Sequence, residues 1–374
     1  MRLDFIPSVA RFDFFPSRAL TLYLVRLFVV RILAVLLMLV LILQMLDLLS
    51  ESGKILAVPG NGEGALWTYI GLRVPQLIAR FLPYSVLLST IITLATLNQN
   101  SEVIAMKAAG LSAHQILAPL LLAALAVSVV SFGFNERVVT RSNATLKAWQ
   151  AVDYGEIPAV SGVRTNVYVT DGPNIIAANT LTGQGADMEM TGVTFYRRDG
   201  NGMIVEQVRA SSATYANPGW RLENPVRLDV RTAEATPLEP LVVATTLTPE
   251  QIAISSVDGD AMSLGELATA IDALKAAGRR TNELEGEWWH KISGPLAAFL
   301  MPLLGAVSAF GLARSGQLFV RAVIGMSLGF AYFVVDNAAL AMGNFGGYPP
   351  LLAAWAPFFL FLLVGETVLV RTEE

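Results

Sequence analysis

The sequence contains no cysteine and only two histidines, and charged residues make up just 15% of its 374 positions. Without cysteine there are no disulfides, thiolate metal sites, iron–sulfur clusters or cysteine nucleophiles. His114 and His290 are too far apart for a zinc-binding HExxH helix. No GxxxxGK[ST] phosphate loop or GxSxG elbow occurs, and Gly60-Asn61-Gly62-Glu63-Gly64 has too few spacers to cradle a phosphate. The chain is therefore expected to have no catalytic residues and no metal site, and to bind no cofactor. A basic excess is also missing: the net charge of −4 lacks the footprint of a nucleic-acid binder. The scarcity of charge is the most restrictive absence. Soluble domains carry about 25% charged residues, so a chain that is 54% apolar is expected to be an integral membrane protein.

The charges that exist are unevenly spread. Residues 138–282 hold 12 Lys/Arg and 16 Asp/Glu, leaving 14 of each sign elsewhere, so the negative excess belongs to a polar middle flanked by apolar runs. A membrane span needs about 20 mostly apolar residues. Tyr23–Leu49, about 67–101, Ala108–Asn135, Ile292–Ala313, about 319–341 and about 349–369 meet that length. The turn cluster Gly343–Pro350 separates the last two. Six transmembrane helices are expected, three on each side of the middle segment. Arg2, Arg11, Arg18, Lys107, Arg314, Arg321 and Arg371 fall on one side, while the opposite loop carries Glu51, Lys54 and Glu63. The positive-inside rule then places both termini in the cytoplasm and the middle segment outside. Trp67, Tyr69, Trp288, Trp289 and Tyr348 are expected in the interfacial belt, and both histidines at the interfaces.

The middle segment reads as β structure. Val167–Thr170, Asn174–Ala178, Gly192–Arg197, Met203–Val208, Ala213–Tyr215 and Val226–Val230 are short β-branched and aromatic runs. Asp171-Gly172-Pro173, Asp199-Gly200-Asn201-Gly202 and Asn217-Pro218-Gly219 mark turns between them. The spacing suggests a sandwich or jelly roll over 138–261. The period then changes: Leu264, Leu267, Ile271 and Leu274 have helical spacing, Ser263 with Glu266 forms a capping box, and Gly278 is a stop. A connecting helix is expected within 262–283, with membrane halves at 1–137 and 284–374. Glu283 and Glu285 read as a solvated helix start.

Between the second and third spans lies Ser101-Glu102-Val103-Ile104-Ala105-Met106-Lys107-Ala108-Ala109-Gly110-Leu111-Ser112. It reads as a short cytoplasmic helix over about 101–110, capped from Asn98–Ser101, with Glu102 near the positive dipole end. Gly110 ends it, and Ser112 caps the next span. Two readings stand. It is a tight amphipathic connection, or it offers Val103, Ile104 and Met106 to a groove of a cytoplasmic partner.

This loop resembles that of the LptF/LptG (YjgP/YjgQ) lipopolysaccharide-export permeases. Similar too are Arg314-Ser315-Gly316, Arg321, Gly325, Leu328-Gly329-Phe330-Ala331-Tyr332 and Asn337, then Pro349–Pro357 opening the last span. Asp47, and Lys291 with Pro295, also fit. The tail is more similar to the LptG branch than to its LptF sibling. The resemblance implies an inner-membrane permease of a Gram-negative bacterium, an α-helical protein of six spans with a periplasmic, jelly-roll-like all-β domain between the third and fourth. It implies an LptB-like ATPase dimer that uses ATP and magnesium, an LptF-like permease, an LptC-like periplasmic jelly-roll protein, and lipopolysaccharide as cargo. Glu102, Val103, Ile104, Met106 and Gly110 become the ATPase-coupling residues.

One departure affects the substrate path. LptG-type proteins carry lysines near the outer end of the first span, where this chain has Gln44-Met45-Leu46-Asp47-Leu48-Leu49-Ser50-Glu51 and its first lysine is Lys54. The candidate lipid contacts are therefore Gln44, Lys54, Arg73, Arg80, Arg137 and Asp336, with interfacial snorkelling as the rival reading for the basic residues. Arg73 and Arg80 are seven apart and so predicted on one helical face, and Asp336 is expected either to pair with an arginine or to reach the periplasmic interface. The alternatives of function are the LptF sibling and a non-transporting receptor or scaffold with a periplasmic binding domain.

Overall fold

The structure, a computed structural model, describes residues 15–157, 164–183, 185–200, 202–229, 235–249, 252, 259–276, 280–310 and 318–371. The expected positions Arg2, Arg11, Gly278, Arg314, Ser315 and Gly316 lie outside these. Helices α1 (Arg18–Ala57), α2 (Glu63–Gln99), α3 (Glu102–Ala108) and α4 (Ala113–Phe134) come first. A π-helical turn (Asn135–Val139) leads into α5 (Thr140–Ala151). Strands β1 (Arg164–Asp171), β2 (Asn174–Thr182), β3 (Glu189–Arg198), β4 (Ile204–Tyr215), β5 (Trp220–Glu223), β6 (Val226–Asp229), β7 (Ala235–Pro237) and β8 (Leu241–Val243) follow. Helices α6 (Leu264–Ala276), α7 (Asn282–Phe310), α8 (Leu318–Asn344) and α9 (Pro350–Arg371) complete the order.

Five helical stretches among the described residues are long and apolar enough to cross a membrane: 18–57, 63–99, 113–151, 323–344 and 350–371. The expected fourth span corresponds to α7, which is not among them. Its first ten residues carry Glu283, Glu285, Glu287 and Lys291, and its apolar run beyond Phe310 passes outside the described residues. The third apolar helix also runs further than its uncharged sequence, to Ala151, so residues expected to open the β domain are helical. The cause is an apolar face on α5: Leu146 and Trp149 are buried with Ile55, Tyr69 and Tyr154. Trp149 stacks edge-on against Tyr154 at 5.2 Å and donates its indole N–H to the Gly155 carbonyl at 2.8 Å.

The chain divides into two compact units, residues 1–40, 80–133 and 289–374 in the first and 41–79 and 134–288 in the second. The first is helical, with Leu24, Phe28 and Ile32 of α1 and Val86, Leu87 and Leu94 of α2 buried in it. Helices approach closely through glycine: a Cβ on Gly329 of α8 would lie 2.3 Å from the Leu87 side chain, and one on Gly365 of α9 would lie 2.7 Å from that of Leu303 of α7.

The second unit contains the β-sheet, eight antiparallel strands in the order β1-β2-β3-β4-β5-β8, with β6 on β4 and β7 on β6. All three expected turns are present. Gly172, Gly202 and Gly219 supply the positive φ they need. The segment expected as a separate strand, Ala213–Tyr215, is the end of β4, whose other end pairs with β6 while this end pairs with β5. Strands follow their neighbours as a meander through β5, after which β6 returns to β4 and β8 to β5. Alternating side chains Val167, Val169, Ile176, Ala178, Val193, Phe195 and Val208 fill one core, closed by fully buried Trp220, whose indole donates to the Leu247 carbonyl at 3.1 Å.

The capping box opens α6 as expected: Ser263 N–H donates to Glu266 at 2.8 Å, and Glu266 N–H returns to Ser263 Oγ at 3.4 Å. Leu267, Ile271 and Leu274 are its buried face. Glu285 is not simply solvated. Burial pushes its carboxyl upward, but hydrogen bonds from Thr281 and the Lys275 ammonium outweigh this and hold it below 4.5.

Candidate functional site

The loop between two apolar helices is the first site. Ser101 enters α3 through a left-handed conformation (φ 60) and gives no side-chain cap, so capping comes from backbone geometry rather than from the expected Asn98–Ser101 hydroxyl and amide groups. The helix occupies Glu102–Ala108, shorter than expected. It closes on Gly110 (φ +90), where the Leu111 N–H reaches the Met106 carbonyl at 3.1 Å. Ser112 and Gln115 then cap α4 reciprocally, at 3.0 and 3.2 Å.

The faces of α3 differ from expectation. Val103 and Met106 are buried within the chain, while Ile104 is 58% exposed, with Ala105, Lys107 and Ala108 on the same outward side. At three-residue spacing Val103 and Met106 share a face, and that face anchors the helix. The outward side carries Ile104, with the partly exposed Glu102 at its start. Sequence pattern cannot say which of two apolar stripes on so short a helix turns inward.

Glu102 has partners that sequence spacing did not indicate. The Tyr23 hydroxyl of α1 donates to its two oxygens at 3.1 and 3.4 Å, and Asn100 Nδ2 donates to Oε1 at 3.3 Å. Two turns further along α1, Arg31 donates to the Ile92 carbonyl of α2 at 3.3 Å. On the same unit, His114 of α4 lies 3.3 Å from Glu366 of α9.

Asp336 is buried on α8, and its Oδ2 is 3.0 Å from Nε2 of His290 on α7. In place of an arginine, one of the two expectations for Asp336, the partner found is His290, itself expected at an interface. The two lie 46 positions apart in the chain, a separation at which only folding reveals the pair.

In the second unit, Asp47 collects the polar groups. Tyr69 donates to Asp47 Oδ2 at 2.5 Å, and Arg73 engages both carboxylate oxygens at 3.1 and 3.0 Å. Arg73 also contacts Gln76, whose Nε2 donates to Asn143 Oδ1 at 3.2 Å. Tyr69, one of the aromatic residues expected in the interfacial belt, is only 1% exposed. Its turn-spacing with Arg73 and Gln76 was the available signal, because i, i+4 and i+7 share a helical face. Nearby, Tyr154 donates to Glu51 at 2.7 Å, and burial pushes its phenol up to about 12. Lys54 pairs with Glu51 at 2.9 Å. Gln44 is buried with neither amide atom partnered among the described residues.

The family model described as "Lipopolysaccharide export system permease LptF/LptG" matches residues 22–371. The chain belongs to the LptF/LptG permease family. It is similar to the lipopolysaccharide export system permease protein LptG of Escherichia coli K12, 26% identical over 310 residues covering 81% of this chain and 84% of that protein. It is likewise similar to the LptG protein of Haemophilus influenzae, 24% identical over 327 residues covering 84% and 89%. For a member of the LptF/LptG family, the coupling and lipid-path candidates separate as follows. Glu102, Ile104 and Gly110 remain on the exposed loop, while Val103 and Met106 support it. Arg73 and Asp336 are engaged by Asp47 and His290, and Lys54 by Glu51. Arg80 and Arg137 are exposed and make no ion pair among the described residues.

Proposed function

We propose that this chain is the LptG-type permease subunit of an ABC exporter that extracts lipopolysaccharide from the inner membrane and passes it to a periplasmic bridge. It spans the membrane six times, α7 included, with both termini cytoplasmic and the β-sheet periplasmic. An LptB-like ATPase dimer supplies energy from ATP and magnesium, an LptF-like permease completes the cavity, and an LptC-like protein receives the lipid. The family match over nearly the whole chain is what carries this reading. The two relatives named LptG favour that branch over its sibling.

In this mechanism the partner engages α3 through Glu102 and Ile104. A charge-assisted hydrogen bond from a basic groove residue to Glu102 is worth about 1.5–3 kcal/mol. Closure of the nucleotide-loaded ATPase pushes on α3 and narrows a cavity lined by the first and fifth spans. Arg80 and Arg137 are assigned to lipid phosphates, since among the described residues no carboxylate pairs with either. Copurification with the ATPase tests the coupling role. Glu102→Ala weakens complex formation and Glu102→Arg abolishes it, with ATP-dependent lipid release lost in both; undiminished assembly and release would sink the assignment. Arg80→Glu should reduce lipid photocrosslinking several-fold with assembly intact, whereas unaltered crosslinking leaves Arg80 as a snorkelling anchor.

A further inference from the structure

We infer that Tyr23 is a positioning residue that makes the cytoplasmic half of α1 move with α3, so that a push on the Glu102 helix is delivered directly to the first span. This inference rests on the proposed coupling role of Glu102 and adds the element that receives the stroke. A carboxylate has about four lone-pair sites. Tyr23 and Asn100 occupy some of those on Glu102, leaving others for a partner's cation. One side chain can therefore hold the ATPase and α1 at once.

The rest of α1 is fastened so that this link acts as a lever rather than a loose tether. Leu24, Phe28 and Ile32 are 0–2% exposed, which fixes one face of the helix inside the unit. Arg31, on the next turns, donates to the Ile92 carbonyl of α2. That carbonyl already accepts from the Thr96 hydroxyl at 2.7 Å. Helix α1 is thus held to the α2–α3 hairpin at two heights, by Arg31 on the apolar stretch and by Tyr23 at the cytoplasmic end. Both links are exposed, and the Tyr23 one lies at the cytoplasmic end, open to water. Water competes for it in the free chain, and a docked partner that excludes water strengthens it. The connection is therefore tightest when the ATPase is bound. Entry to α3 through left-handed Ser101 and exit through Gly110 give the short helix defined pivots, so that its displacement is transmitted rather than absorbed within it.

The absence of cysteine makes the test direct. In the full complex with its ATPase, reconstituted in lipid, spin labels on Leu22→Cys and Ala105→Cys report the α1–α3 distance with and without ATP trapped. With Tyr23 present the distance distribution is the same in both states. With Tyr23→Phe it broadens or shifts on ATP binding, while the ATPase still copurifies and lipid released per ATP hydrolysed falls by about threefold or more. An unchanged distance and an unchanged release-to-hydrolysis ratio in Tyr23→Phe overturn the inference. Glu102→Gln separates the two layers. If it leaves assembly and release unaltered, the coupling role of Glu102 itself fails; if it disrupts them while Tyr23→Phe is silent, only the lever fails.

Discussion

At the scale of single residues, Asp47 shows how a charge can be moved from one role to another by its neighbours. It accepts from Tyr69 and from two nitrogens of Arg73, so the Arg73 cation, a lipid-contact candidate in the sequence, is paired within the chain. Asp47→Ala leaves a half-buried guanidinium and a buried phenol without their acceptor, at a cost of about 1–3 kcal/mol. The thermal midpoint should fall accordingly. Arg73→Ala added to Asp47→Ala should cost less than the sum of the single changes, because the two residues share one interaction; strict additivity would show that the pair is not coupled. Asp47 itself was visible in the sequence as a charge closing an apolar run, and Arg73 as another beginning one. Their pairing was not, since no local period links residues 26 positions apart. The same holds for His290 with Asp336 and Tyr23 with Glu102. Polar residues on long apolar helices announce themselves, but their partners are fixed by helix packing.

Elements were more legible than pairs. The turns Asp171–Asn174, Asp199–Met203 and Ala216–Gly219 stand where Gly, Asn and Pro placed them, and the Ser263–Glu266 box opens α6. These signals are local, each satisfying backbone groups within a few residues. Ser263→Ala is expected to cost about 0.5–2 kcal/mol, read as increased hydrogen exchange at the first turn of α6 with little change in β3 or β4. The following junction has a pH signature. Glu285 is held below its ordinary value, so its contribution is present above about pH 4.5 and is lost as pH falls through the lowered value. Glu285→Gln should flatten the acid limb of the melting profile of this segment. What sequence did not resolve were the short strands β5, β7 and β8, and the extension of helix to Ala151. That extension depends on Trp149 finding Tyr154 and Tyr69, a tertiary override of a polar composition.

For the whole molecule, the absence of cysteine provides a direct topology experiment. A thiol probe that does not cross membranes should label Ile104→Cys only from the cytoplasmic side and Tyr168→Cys only from the opposite side, both positions being exposed. Labelling of both from one side would overturn the proposed arrangement, and exchanged sides would invert it. Within the helical unit the contacts are of two chemical kinds. Leu87 fits against Gly329, and Leu303 against Gly365, whereas His290 meets Asp336 through a polar contact. Lipid tails are as apolar as leucine, so an acyl chain can take the place of a leucine in a glycine notch with little loss, but nothing in a hydrocarbon tail can replace imidazole beside a carboxylate. Under the proposed lipid-export role, these notches are the seams along which the helices would part. The buried polar pair would then be the rivet about which they turn.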